Sequence, residues 1–271
     1  MNLTIGITAY NESLSEVMKS LNSVENIPGT NLIVSVDDNH SLFLQIKKQY
    51  PELKVIVSET NIGLGRSRNK IINSCETPWL TFLDSGDCLN KDVVENFIEI
   101  QNTDIDLYIY QTTKHYRGKI TETQKTILSK YRLLFENYHM EFTSSATAKI
   151  FNLSFIKQNQ IFFPDKNLYH EDLLFSPKVY CNMKKYRVFN ESLYNWYVEN
   201  NTLSTSFSLK KLSDLTYIFS ERRKFYKDIQ DIIDFKTLKK KERKFVLNKI
   251  KISRNFHYLP NYLKFKYWDH V

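Results

Sequence analysis

The period of the apolar positions switches regularly over the first hundred residues. Leu3 to Thr8 is a short β-rich run, and Ser13 to Leu21 then carries Leu14, Val17, Met18 and Leu21 at steps of three, one and three, the face of a helix. Asn31 to Val36 (NLIVSV) is almost continuously apolar, and the helical spacing from Leu42 to Tyr50 is stopped by Pro51. Lys54 to Val57 predicts a third strand, about Arg66 to Cys75 a helix, and Trp79 to Leu83 a fourth strand. Repeated strand, polar loop and helix predict an α/β fold with a Rossmann-like, mostly parallel central sheet flanked by helices.

Beyond residue 100 the alternation loosens. IDLYIYQT reads as a strand, Asn152 to Gln158 and Asp172 to Asn182 as helices, and YRVFNESLYNWY as a hairpin or a pair of short strands. From Leu209 onward Lys and Arg accumulate around apolar spacing and glycine is absent, which predicts a helical appendage starting near residue 205. The expected organisation is a domain over 1–205, with halves 1–100 and 101–205, and a basic helical region over 206–271.

Each of the first strands ends in a polar cluster: Ala9-Tyr10-Asn11-Glu12, Asp37-Asp38-Asn39, the NIGLG loop before Arg66, and Asp84-Ser85-Gly86-Asp87. In open parallel sheets, ligands bind beyond the carboxyl ends of the strands, where strand order reverses. The four clusters are therefore expected to share one crevice. A net charge of +8 biases the chain toward anionic partners without choosing among them. Three widely spaced cysteines, Cys75, Cys88 and Cys181, read as reduced thiols in the cytoplasm. The start MNLTIGITAYNE lacks the pattern of a signal peptide, and no apolar run is long enough to span a bilayer.

Five segments in this order resemble family 2 glycosyltransferases of the GT-A fold: ITAYNE, VSVDDNH, NIGLGRSRNKII, FLDSGD and HEDLLF. The similarity covers about residues 1–205. It implies an inverting enzyme that moves a hexosyl or N-acetylhexosaminyl group from a UDP-sugar to a hydroxyl of a glycan or lipid-linked glycan, assisted by Mn²⁺ or Mg²⁺, in bacterial polysaccharide biosynthesis. By the same resemblance Ala9, Tyr10 and Glu12 meet the nucleoside, and Asp37 and Asp38 read base and ribose. Gly63, Arg66, Arg68 and Asn69 lie beside the diphosphate, where cationic side chains and free amides would stabilise its charge. Asp87 binds the metal, with Asp84 and Ser85 supporting it or the ribose; a hard cation bridging a diphosphate calls for carboxylate oxygens. Asp172 removes the acceptor proton and Glu171 orients it.

Bland readings stand beside these. Tyr10 could be a core aromatic, Glu12 a helix-terminal charge, an Asp of the pair the cap of the next helix, and Glu171-Asp172 an ordinary N-cap. Gly86 stands where relatives usually carry a carboxylate, which leaves an inactive relative as an alternative. The stretch YNWYVENNTLSTS resembles the segment that closes over the donor but lacks its usual basic residue; Asn201, Thr202 and Ser204 could bond phosphate or form a turn. His139, His170 and His257 lack zinc-like spacing.

A nucleotidyltransferase would carry a glycine-rich, lysine-bearing signature near the N-terminus, and none is present. A nucleic-acid-binding module is disfavoured because the strand-end acids would repel a phosphate backbone. The basic tail, with Phe225, Tyr226, Phe235, Phe245, Phe256, Tyr258, Tyr262, Phe265 and Trp268, suits peripheral binding to an anionic membrane's inner face. Alternatively its aromatics pack on the catalytic domain or on a second subunit, giving a homodimer.

Overall fold

A computed structural model describes residues 2–116, 118–122, 145–198, 208–226 and 235–252. The first third follows the expected rhythm as β1 (Leu3–Ala9), α1 (Leu14–Val24), β2 (Thr30–Asp37), α2 (His40–Gln49), β3 (Lys54–Ser58), α3 (Leu64–Ser74) and β4 (Trp79–Asp84). Then come β5 (Cys88–Leu89), α4 (Lys91–Ile100), β6 (Leu107–Tyr116), β7 (Lys119–Glu122), β8 (Lys149–Asn152), α5 (Leu153–Gln158), α6 (Asp172–Asn182), β9 (Tyr186–Val198), α7 (Leu209–Tyr226) and α8 (Phe235–Ile252).

These strands form one mixed sheet in the order β3-β2-β1-β4-β8-β6-β9-β5, with β7 on β6. The pairs β1–β2, β2–β3 and β1–β4 are parallel. The chain lays β2 and β3 to one side of β1 and returns to place β4 on the other, so strand order reverses between β1 and β4. Short β8 enters antiparallel between β4 and β6, while β9 runs parallel to β6. The expected hairpin over YRVFNESLYNWY is one strand instead, β9. Its turn-like residues, exposed Asn190 and Glu191, fall where the β6 register shifts, so the polar interruption is absorbed as an irregularity in the ladder.

One core cluster joins β1 and β2 to α1, α2 and α4, and another joins β4 and β8 to α3, α5 and α6. Trp79 packs edge-on against Phe97 and Tyr108 at 5.4 and 5.2 Å, contacts worth about 0.5–1.5 kcal/mol each beyond area burial. A third cluster seats α7 and α8 on Leu168 and Leu174 through Leu212, Leu215, Ile218, Phe219, Val246 and Ile250. Phe245 also packs there, as the inward reading of the tail aromatics expects. Phe256, Tyr258, Tyr262, Phe265 and Trp268 lie outside the described residues, as do Asn201, Thr202, Ser204, His139 and His257. Fully buried Glu242 on α8 accepts from Arg222 at 3.1 Å and Arg223 at 2.6 Å on α7.

Candidate functional site

β1 and β4 deliver their polar ends side by side. Ser85 ties the two, its hydroxyl donating to the Thr8 carbonyl at 2.8 Å, and Thr8 Oγ1 donates to Asp84 Oδ1 at 3.2 Å. Beyond β1 the chain turns on itself, because the Tyr10 N–H donates to Glu12 Oε2 at 2.6 Å. Burial, with Asp84 and Glu16 nearby, raises the Glu12 carboxyl above its ordinary range. The helix-end role falls to Ser13 and Glu16, which form a capping box on α1. Tyr10 is half-buried and stands apart from the core clusters.

Arg68 is the hub. Its side chain is 1% exposed, yet Nη1 donates to Glu171 Oε1 and Asp172 Oδ1, and Nη2 to Asp84 Oδ1, each at 2.8 Å. The end of β4 and the start of α6 thus meet on one guanidinium; burial works against its charge, and the three acids outweigh that and hold it firmly protonated. Burial and neighbouring Asp172 push Glu171 up to about 8, against the pull of Arg68. Burial also raises Asp172, which Arg68 and an Ala146 backbone hydrogen bond draw back down. Glu171, at 6% side-chain exposure against 20% for Asp172, is the more deeply enclosed of the two and is held toward its neutral form. Glu171 does occupy the N-cap position of α6, but its side chain makes no cap bond, being drawn to Arg68.

The other expected phosphate contacts are committed elsewhere. Residues two apart on a helix point to nearly opposite sides. Hence Arg66 leaves the hub and binds Asp165, Nε to Oδ1 and Nη2 to the carbonyl, both at 2.7 Å. Asn69 clamps the Phe163 backbone reciprocally, at 3.0 and 2.9 Å. Gly63 caps α3 at φ +88°, where a Cβ would lie 2.5 Å from Asn167 Oδ1; at Gly65 it would lie 3.0 Å from Glu171 Cγ. These glycines allow α3 to abut the segment that carries Glu171.

Buried Asp37 accepts from the backbone N–H groups of Ile62 at 2.9 Å and Gly63 at 2.8 Å, fixing the NIGLG loop. Exposed Asp38 follows at φ +51°, so the two side chains diverge as their adjacency predicts. The cap of α2 is Asn39 rather than an Asp.

Past β4, Gly86 turns the chain at φ +91°, its N–H donating to Ser20 Oγ at 3.0 Å and its carbonyl accepting from Lys19 at 2.7 Å. Asp87 is thereby driven inward. Tyr194 Oη donates to its Oδ2 at 2.6 Å and the Tyr197 N–H to its Oδ1 at 2.8 Å; burial pushes this carboxyl up to about 7. Tyr194 and Tyr197 were not anticipated from sequence. They lie over a hundred residues from Asp87, and the antiparallel pairing of β5 with β9 brings them there. Lys149, a lone cation in the apolar run ATAKIFN, was also passed over; it is 0% exposed and electrostatically coupled to Asp172.

Among the described residues no group of three or more His, Cys, Asp or Glu side chains could hold a metal. Asp84 and Asp87, flanking the turn, are hard oxygen donors, and Mg²⁺-like ions commonly take one or two carboxylates plus substrate phosphates. A cation would also relieve the mutual charge that helps raise Asp87. The donor set fits an ion completed by a diphosphate rather than a cage made of protein alone.

The family model described as Glycosyl transferase family 2 matches residues 4–162. The poly(ribitol-phosphate) β-N-acetylglucosaminyltransferase TarS of Staphylococcus aureus is 31% identical over 205 residues, 72% of this chain and 35% of TarS. The chain thus spans about a third of that relative's length. The crystal structure of S. aureus TarS 1–349 with UDP-GlcNAc superposes with a TM-score of 0.63 at 22% identity, covering 82% of this chain and 66% of that one. The mannosyltransferase PcManGT of Pyrobaculum calidifontis, solved with GDP-Man and Mn²⁺, gives 0.56 at 10% identity, covering 82% and 64%. Both structures share the fold.

Proposed function

This chain belongs to glycosyltransferase family 2, and from that premise we propose that it transfers a sugar from a UDP-linked donor to an acceptor hydroxyl with inversion, using Asp172 as base and a divalent ion held by Asp84 and Asp87. The observation that carries the reading is the Arg68 junction. It joins a donor-side acid, Asp84, to the acid pair at the start of α6 through three charge-assisted bonds. A protein that only bound a nucleotide would have no use for an oriented carboxylate there.

Asp172 is assigned as the base because it is the more open of the two adjacent acids, while burial holds Glu171 toward its neutral form. The acceptor hydroxyl passes its proton to Asp172 as its oxygen bonds the anomeric carbon. The bond from that carbon to the diphosphate breaks on the opposite face, and its electron pair leaves with UDP. When bound, the metal neutralises charge on the departing diphosphate. Arg68, enclosed by acids, acts by positioning them rather than by touching phosphate. Tyr10 and Asp38, the accessible groups beside β1 and β2, are assigned to the nucleoside. A net charge of +8 suits an anionic polyol-phosphate acceptor of the kind named for TarS.

Titration calorimetry with UDP tests the donor site. Binding that tightens at least about tenfold on adding Mn²⁺ is expected. No heat at millimolar UDP, with or without metal, would remove the reading.

A further inference from the structure

Lys149 occupies a place that packing alone does not explain. It lies on β8, whose neighbours on either side are β4 and β6, and none of its surface reaches solvent. Burying a lysine this deeply is costly unless a carboxylate and hydrogen-bond acceptors compensate. Its ammonium folds back along its own chain, donating to the Ser145 carbonyl and lying 3.5 Å from that of Thr147. Between those carbonyls sits Ala146, whose backbone hydrogen-bonds Asp172.

The loop that Lys149 closes is itself held in an uncommon shape. Ala148 adopts φ +56°, a left-handed conformation that a residue with a Cβ seldom takes. The hydroxyls of Ser145 and Thr147 bond each other at 2.7 Å, and the Thr147 N–H donates to Ser145 Oγ at 3.2 Å. An over-determined loop of this sort is found where a local geometry serves a site.

We infer that Lys149 is a positioning residue for the base: it staples residues 145–149 so that the Ala146 N–H meets Asp172, and it is the second buried cation, after Arg68, to face that carboxylate. The inference rests on the assignment of Asp172 as base. Four titratable groups face Asp172: Arg68 on α3, Asp84 on β4, Lys149 on β8 and Glu171, the N-cap of its own helix. Arg68 is shared among three acids, and Lys149 adds a second positive charge facing Asp172. Burial pushes the Lys149 amine down to about 7, and Asp172 opposes that fall. The two charges therefore sustain each other across the loop.

Carboxyl-labelled NMR of the full chain tests this without a donor or acceptor. Lys149→Met removes charge and staple; Lys149→Gln keeps an amide donor for the Ser145 carbonyl and serves if the first variant does not fold. In either folded variant the Asp172 carboxyl should titrate about one unit or more higher than in wild type, with faster hydrogen exchange at the Ala146 amide. A structural filler would lower stability and leave the Asp172 midpoint in place, and an unmoved midpoint overturns the inference. Failure of the base assignment looks different: Asp172→Asn would keep its turnover while the Lys149 variants still shifted the midpoint.

Discussion

Arg68 shows how one side chain can carry a site. Its three acidic partners lie up to 104 positions from it in the chain, and each is held at hydrogen-bond distance by the same planar group. Removing one partner from such a buried cluster typically costs about 3–5 kcal/mol, because the charges left behind are stranded. Glu171 solves part of this by staying neutral, and that has a measurable consequence. Its carboxyl holds a proton up to about pH 8 in the fold, against 4.5 ordinarily, so the folded state binds more protons between those values. The stability this contributes is full below pH 4.5 and is lost as pH rises toward 8. Asp87, raised to about 7, acts with the same sign, and Lys149 opposes them only above about pH 7. Urea denaturation between pH 5 and 7 should show stability falling by about 1 kcal/mol or more per unit, with a shallower fall in Glu171→Gln. A wild-type slope of zero or opposite sign would refute the neutral Glu171.

Among the elements, the turn after β4 is shaped by a single glycine. Gly86 sits at φ +91° with its N–H on Ser20 and its carbonyl on Lys19, docked against α1. An aspartate there, the acid that the family resemblance implies, would meet the Glu16 side chain at ordinary contact distance but a strained backbone, costing about 1–2 kcal/mol. Gly86→Asp is therefore expected to lower Tm by about 2–8 °C, and an unchanged or higher Tm would show that the turn does not require glycine. What was legible in the sequence follows the same line between local and distant causes. Strands β1 to β4 and helices α1 to α3 announce themselves because each strand and crossover helix writes its own period into adjacent residues, and α6 has the bounds expected for it, Asp172 to Asn182. The course of β9 was not legible, since Asn190 and Glu191 imitate a turn and only the partner strand β6 reveals a bulge. The same limit applied within the site. The acids could be found in strand-end clusters, but the placement of Arg66 on Asp165 and of Tyr194 on Asp87 depends on segments far apart in the chain.

Across the whole molecule, α6 is where the parts converge. Its first residues face the Arg68 hub, Phe175 and Val179 pack under the sheet, and Leu174 joins the cluster beneath α7 and α8. The basic C-terminal helices are thus built onto the element that carries the proposed base, Asp172, and no helix among the described residues is long and apolar enough to cross a membrane. On the proposed assignment donor and acceptor functions are separable at this junction, since Asp172 would act on the acceptor and the nucleotide would be held from β1, β2 and β4. The most direct test is Asp172→Asn, measured in parallel for UDP affinity by calorimetry in Mn²⁺ and for sugar release from UDP-GlcNAc, with water as acceptor. Affinity within about twofold of wild type and a rate lower by roughly 10²–10⁴ are predicted. Turnover that survives the substitution, or UDP binding that is lost with it, would contradict the account.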